Sequence, residues 1–384
     1  MKYYFLFIIS CLFSSLYINS QTTINGSFVH SGLTRTYSFY VPASYTPGQA
    51  APLVLNLHGY TSNGNQQSLY TNFQAIADTA GFIIAHPDGT IEATTSQRFW
   101  NFGILGANVD DVGFLEALID TLSAHYTINP NRIYSVGMSN GGFMSYCLAC
   151  ETDRFAAVGS VTGSMSVVMY NSCTPSRPTP TIRIHGTSDN VVPYAGNSTS
   201  KGAEEVTLFW ANQNNCNTTP AITQVPNTNT SDGATAEHYV YSGGTNGNTV
   251  ELYKVTGGGH TWPDATVSLP SNGNTCRDFN ATKEIWRFFS QYERGGTLST
   301  GKNMEADQNI AVYPNPAQKT FVIKTNETIN ADIYLLDLQG RLIKSLKNVS
   351  TNTALDLEDL KPGNYILKIS NSDLNFTKKL TVTE

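Results

Sequence analysis

The sequence predicts an α/β fold with a mainly parallel central sheet, followed by a small antiparallel β-sandwich. Three observations lead there. Between residues 39 and 292, apolar runs alternate with segments of helical period; after Glu293 that texture stops; and from Ala311 onward, short alternating strands are separated by turn signals. The apolar runs at 52–57, 82–85, 132–136, 155–161, 181–184 and 251–255 are mostly continuous, as expected of strands covered on both faces. Helical period occupies 66–80, 111–126, 141–151, 201–214 and 282–292. In 111–126, Val112, Leu115, Leu118, Ile119 and Leu122 form one apolar face, with Asp110 or Asp111 available as N-cap. Strand, helix, strand repeated in this way implies a parallel sheet with helices on both faces.

A chain of 384 residues suggests one large domain plus a smaller one. Its 23 Lys and Arg against 29 Asp and Glu leave no basic excess for holding a phosphate backbone, so nucleic acid is excluded as a partner. Lys2, an almost unbroken apolar stretch over 3–18 and Ser20 before Gln21 read as a secretory signal peptide over residues 1–20. The stretch is short for a membrane span, it is interrupted by Ser10, Ser14 and Ser15, and no stable transmembrane segment is expected in the mature chain, 21–384. Residues 21–293 are then expected to form the large domain, 294–310 a linker and 311–384 the sandwich. Strands at 320–324, 331–336, 365–369 and 377–382 alternate with Pro314-Asn315-Pro316, Gln339-Gly340 and Lys361-Pro362-Gly363-Asn364. The sandwich contains no His or Cys, so the chemistry is sought upstream.

Five cysteines remain beyond the signal peptide, allowing two disulfides and one leftover thiol in an oxidising compartment. The expected pairs are Cys150 with Cys173 and Cys216 with Cys276, leaving Cys147 buried and free. No cysteine pair has a companion pair at ligand spacing, and no His-Glu-x-x-His occurs, so neither metal nor cofactor is expected.

Gly137-Met138-Ser139-Asn140-Gly141 follows an apolar strand and opens a helical run, with glycines where a tight strand-to-helix turn would crowd any side chain. Such a turn holds Ser139 above the sheet edge, but a serine is a poor nucleophile without a positioned base. Of seven histidines, His260 stands in the flexible Gly257-Gly258-Gly259-His260-Thr261-Trp262-Pro263 loop after the last clear strand. His58 follows a strand and suits a loop-shaping role, while His86 and His185 end strands before the part of the chain where a base is expected. The orienting acid should lie between nucleophile and base and close a strand, which selects Asp189 in His185-Gly186-Thr187-Ser188-Asp189 over Asp264. The order Ser139, Asp189, His260 is that of α/β-hydrolases. An oxyanion needs backbone donors from the residue after the nucleophile, Asn140, and from the loop after strand 53–57, where the Tyr60 N–H is chosen ahead of Thr61.

Over about residues 25–293 the chain resembles the secreted esterases grouped as polyhydroxybutyrate depolymerase-like and feruloyl or acetylxylan esterases. The motifs are Leu57-His58-Gly59, His86-Pro87-Asp88-Gly89, Trp100-Asn101, Asp110-Asp111-Val112-Gly113-Phe114, the Ser139 turn, His185 to Asp189 with Val192-Pro193-Tyr194, and Gly257 to Pro263. The resemblance implies ester hydrolysis and carries the triad onto Ser139, Asp189 and His260. Relatives often have a cysteine where this chain has Tyr241-Ser242-Gly243-Gly244, a departure that motivates Cys276 as the partner of Cys216. Trp100, Tyr194 and Trp262 lie in motifs expected at the C-terminal sheet edge, either lining an aromatic-accepting pocket or packing the core.

The tail resembles the C-terminal sorting domain of type IX secretion cargo, through Val312-Tyr313-Pro314-Asn315-Pro316-Ala317, Asp337-Leu338-Gln339-Gly340-Arg341, Leu360 to Tyr365 and Lys378-Lys379-Leu380-Thr381-Val382. It implies export through the periplasm and delivery by outer-membrane secretion machinery to the medium or the cell surface. The expected function is a serine carboxylesterase releasing feruloyl or acetyl groups from plant cell-wall polysaccharide. The alternatives are a polyester depolymerase, a serine peptidase of the same fold, and a non-catalytic glycan-binding protein on a hydrolase scaffold.

Overall fold

Ten strands build one large sheet. In chain order they are β1 (Thr22–His30), β2 (Leu33–Val41), β3 (Ala51–Leu57), β4 (Ile83–Pro87), β5 (Ile128–Met138), β6 (Ala157–Val161), β7 (Thr181–Gly186), β8 (Ala221–Gln224), β9 (Thr235–Tyr241) and β10 (Val250–Thr256). Their spatial order is β1-β2-β4-β3-β5-β6-β7-β10-β9-β8. The six central strands run parallel, and antiparallel pairs close both edges. The structure, a computed structural model, describes residues 21–103, 108–267, 269–294, 296–297, 311–325, 328–337, 342–357, 359–370 and 375–383. The signal peptide, most of the linker and most of the Asp337 to Arg341 motif lie outside these residues. The chain divides into two compact units at residues 297/298.

The continuous apolar runs are strands for the reason their composition implies: every residue of β3, β4, β6 and β7 is buried. Alternate residues face opposite layers. Leu53, Leu55 and Leu57 join one core with Phe114, Leu118, Met144 and Trp210, whereas Val54 joins the other with Tyr70, Ala77, Ile285 and Phe288. Helices α3 (Asp111–His125), α4 (Asn140–Glu151) and α6 (Ala203–Gln213) therefore cover one face. The other is covered by α1 (Gly64–Thr71), α2 (Gln74–Ala80) and α7 (Ala281–Phe289), α5 (Val167–Ser172) being a short turn on the first face. On α3, Phe114, Leu115, Leu118, Ile119 and Leu122 are buried, each contributing about 1.5–3 kcal/mol. Asp110 caps this helix by accepting from Gly113 N at 2.8 Å.

Three expectations are corrected. The single helix over 66–80 is two, because Asn72 takes φ 50° and ends α1 in a left-handed cap. The β1–β2 hairpin adds an edge that the continuous-run criterion misses: β1 alternates between exposed and half-buried residues, the buried residues of β2 include Arg35 and Ser38, and Ser31 and Gly32 turn the hairpin with φ 48° and 79°. Cys216 and Cys276 are not bonded. Both are buried thiols, and they belong to the cores on opposite faces of the sheet, so the sheet itself separates them. Cys150 and Cys173 are joined, and Cys147 is free and buried.

In the second unit, strands Ala311–Tyr313, Thr320–Lys324 and Ala354–Asp356 form one antiparallel sheet. Leu342–Ser350, Asn330–Leu336, Gly363–Ser370 and Asn375–Val382 form the other. Phe321 and Ile323 from one sheet share a core with Ile333, Leu335, Leu367 and Ile369 from the other, which is the sandwich expected.

The cysteine arrangement predicts that non-reducing peptide mapping finds Cys150–Cys173 as a cross-link and no Cys216–Cys276 peptide. Replacing Cys150 and Cys173 together by serine lowers the urea-unfolding free energy of the first unit by about 2–4 kcal/mol.

Candidate active site

Because β3, β5, β7 and β10 are parallel, the loops leaving their C-terminal ends meet at one sheet edge. They carry, in turn, His58 to Thr61, Ser139, Asp189 and His260. Ser139 sits between β5 and α4 with φ 54° and ψ −121°, a backbone region L side chains rarely adopt. Its neighbours explain the glycines. A Cβ at Gly137 would lie 2.2 Å from the Gly141 backbone, and one at Gly141 would lie 2.3 Å from the Leu57 carbonyl. The turn is tied down by Ser139 N donating to Val161 O at 2.9 Å, while the Ser139 carbonyl accepts from Gly142 N and Phe143 N.

Asp189 is buried and has both carboxylate oxygens occupied. Oδ1 accepts from Val191 N and Val192 N, each at 2.9 Å; Oδ2 accepts from His260 Nδ1 at 2.8 Å and lies 3.3 Å from His185 Nε2. Burial alone would raise its pKa. Hydrogen bonds from His185 and His260 outweigh it and hold the carboxyl well below the usual carboxylate range. The loops of Asp189 and His260 pack closely: a Cβ at Gly186 would meet the Gly258 carbonyl at 2.2 Å, and Ser188 N donates to Gly258 O at 2.9 Å. His260 is anchored by its own N–H to Asn272 O at 2.7 Å.

Ser139 and His260 border one cavity of about 460 Å³, together with Gly59, Tyr60, Tyr70 and Leu69. The Tyr60 and Asn140 N–H groups have no acceptor among the described residues, whereas Thr61 N is engaged by Arg98 O at 2.9 Å. His58 shapes this loop. Its Nδ1 donates to Gly59 O at 2.7 Å and its Nε2 accepts from Gly89 N at 3.0 Å, with burial lowering its pKa to about 4.

The three aromatic candidates lie away from the cavity lining. Trp100 is fully buried, donating Nε1–H to His58 O; Trp262 is buried with Nε1–H on Thr282; and Tyr194 donates to Glu204 and stands edge-on to His185. Trp100 supports the site indirectly, since its backbone N–H and C=O clamp the Asn140 side chain at 2.6 and 3.1 Å. The apolar border comes instead from Leu69, Val267 and Leu269, all exposed, with Tyr60. Sequence reasoning sets His185 aside as the base and does not single out Arg183; the signal for the pair behind Asp189 is two polar residues two apart in an apolar strand, hence on one face.

The strain at Ser139 gives a stability prediction. Ser139→Gly should unfold at higher denaturant than Ser139→Ala by about 1 kcal/mol, because only glycine occupies φ 54°, ψ −121° without penalty. Equal midpoints would mean that the turn relaxes.

Comparison with known proteins adds two family matches. Residues 311–383 match the secretion system C-terminal sorting domain, and residues 67–206 match the prolyl oligopeptidase family. Among curated relatives, feruloyl esterase B of Piromyces equi is 32% identical over 59% of this chain and 42% of its own length. A bifunctional acetylxylan esterase/xylanase of Neocallimastix patriciarum is 25% identical over 73% of this chain and 37% of its own. A poly(3-hydroxybutyrate) depolymerase of Ralstonia pickettii is 33% identical over 37% of this chain and 31% of its own. The chain thus spans less than half the length of these relatives. The sorting domain makes this an exported protein, and no helix among the described residues is long and apolar enough to cross a membrane. The chain has an α/β-hydrolase fold, is similar over part of its length to feruloyl and acetylxylan esterases and a poly(3-hydroxybutyrate) depolymerase, and matches a secretion system C-terminal sorting domain over residues 311–383.

Proposed function

We propose that the protein is a serine carboxylesterase that releases feruloyl or acetyl groups from plant cell-wall polysaccharide. The observation that carries this reading is the 2.8 Å bond between His260 and a buried, ionised Asp189, with His260 and Ser139 on one cavity beside two unengaged backbone N–H groups. Ser139 Oγ attacks the ester carbonyl while His260 Nε2 takes its proton. The carbonyl oxygen gathers negative charge and is received by the N–H groups of Tyr60 and Asn140. His260 then gives the proton to the departing alkoxide, and water, activated by the same imidazole, frees the acyl group from Ser139. Asp189 keeps the ring's Nδ1–H oriented and stabilises the imidazolium formed in each step.

The apolar border of Tyr60, Leu69, Val267 and Leu269 favours an aromatic or alkyl acyl group. It also supports the polyester alternative, whose acyl chain is equally apolar. The prolyl oligopeptidase match over 67–206 keeps amide substrates as a second reading. The relatives named as esterases favour esters. Export is proposed to proceed through the periplasm and an outer-membrane machinery that recognises the C-terminal unit.

Product analysis on methyl ferulate, acetylated xylan, polyhydroxybutyrate and a peptide amide, side by side, tests the substrate class: release of acid from the first two supports the proposal, and cleavage of the amide alone overturns it. Ser139→Ala should lower kcat by roughly 10³–10⁶ with folding retained, and EDTA should leave the rate unchanged. The acid limb of kcat/KM should follow one protonation. Asp189, held well below the usual carboxylate range by its donors, stays ionised along the whole of that limb. A limb of slope two would place a second titrating group in the relay.

A further inference from the structure

Behind Asp189, strand β7 brings Arg183 and His185 together on one face, both fully buried. Arg183 Nη2 donates to His185 Nδ1 at 2.9 Å. A guanidinium has only N–H donors, so Nδ1 must present its lone pair and the single ring proton must sit on Nε2. That Nε2–H donates to Val192 O at 2.8 Å and faces Asp189 Oδ2 at 3.3 Å. Arg183 itself has no carboxylate at ion-pair distance among the described residues, and its Nε and Nη1 have no hydrogen-bond acceptor there. Burying an uncompensated cation is costly, so this arginine does not serve as half of a stabilising ion pair.

We infer that Arg183 is a positioning residue that locks His185 in its neutral Nε2–H form, so that the charge of Asp189 is reserved for His260. The inference rests on the triad reading above. Two imidazoles share Asp189 Oδ2, and only one of them is useful when protonated. An imidazolium at His185 would compete for the carboxylate and oppose the positive charge that His260 acquires as Ser139 attacks. Arg183 prevents this in two ways: its N–H occupies the lone pair that a second proton needs, and its charge repels that proton.

The other groups around His185 leave the balance unchanged. Tyr194 stands edge-on with ring centres 5.7 Å apart, its hydroxyl tied to Glu204 at 3.1 Å. Lys254, in register with His185 on β10, points its ammonium over that tyrosine ring and to Glu204 at 3.0 Å, so this cation and anion neutralise one another. Tyr146 approaches through Arg183, and His260 through Asp189. Burial first, then Arg183, lowers the pKa of His185, and Asp189 raises it.

The test uses the full mature chain labelled with ¹⁵N-histidine. In the wild type, His185 should keep an unprotonated Nδ1 and show no titration between about pH 5 and 8. Arg183→Met should let His185 titrate in that window and lower kcat about tenfold near pH 6, with KM within about twofold and the deficit shrinking as pH rises. In a His185→Gln background, whose amide supplies an N–H but takes no proton, the same arginine substitution should cost less than about twofold. Titration of His185 in the wild type overturns the lock, as does an equal cost of Arg183→Met in both backgrounds, which marks a purely structural role. If Arg183→Met does not fold, Arg183→Lys and the wild-type titration still decide, since a retained cation should keep His185 neutral. The spectra need no substrate, so an inactive wild type with a neutral His185 would sink the esterase reading and leave the tautomer lock standing.

Discussion

A carboxylate kept ionised in a dry place is the constraint around which this site is arranged. Asp189 is buried, and burial alone would favour its protonated form. The chain answers with four donors: two backbone N–H groups from the turn at Val191 and Val192, and two imidazoles. Those donors dictate much of the local architecture. The Val191 and Val192 N–H groups converge only if the chain turns directly after Asp189. His185 reaches the carboxylate because it sits near the end of a parallel strand, and His260 because the glycines at 257–259 let its loop lie against Gly186.

A second constraint, on shape rather than charge, fixes the nucleophile. Ser139 occupies a strained backbone conformation that persists because strand and helix on either side are over-determined by packing. The glycines at 137 and 141 are consequences of that closeness, with hardly a methyl group of clearance to β3 or across the turn. The same closeness brings Asn140 N–H to the helix start, where no intrahelical acceptor exists, and beside the Tyr60 loop. Strain in the turn and the two unengaged N–H groups thus arise from one geometric cause.

Features that a short window of sequence determines were readable in advance. The continuous apolar runs became buried parallel strands, and the glycine-serine-glycine turn became the strained corner, because sterics within a few residues dictate both. What depends on distant neighbours was not readable. The pairing of Cys216 with Cys276 fails because the sheet lies between them, a fact invisible until strand order is known. The aromatic motifs marked the correct edge of the sheet, yet Trp100 and Trp262 point inward, since each indole N–H finds a buried acceptor there. Asn72 broke a helix whose apolar period ran on, a local choice that periodicity averages away.

The histidines follow from the first constraint. His58, His86 and His185 are buried near the sheet edge, and burial lowers the pKa of each, to about 4 for His58 and about 3 for His86. A site whose reaction passes through an imidazolium cannot tolerate competing cations of the same kind a few ångströms away, since each would oppose the charge forming on His260. Burial is the sole cause at His86 and the largest at His58, where Arg98 and Arg35 add to it and Asp88 opposes it. Of these three, His185 is the one in contact with Asp189, which pulls its pKa upward, and the one with a guanidinium on its free nitrogen. The cation that looks misplaced in the core therefore stands at the histidine that shares its carboxylate with His260.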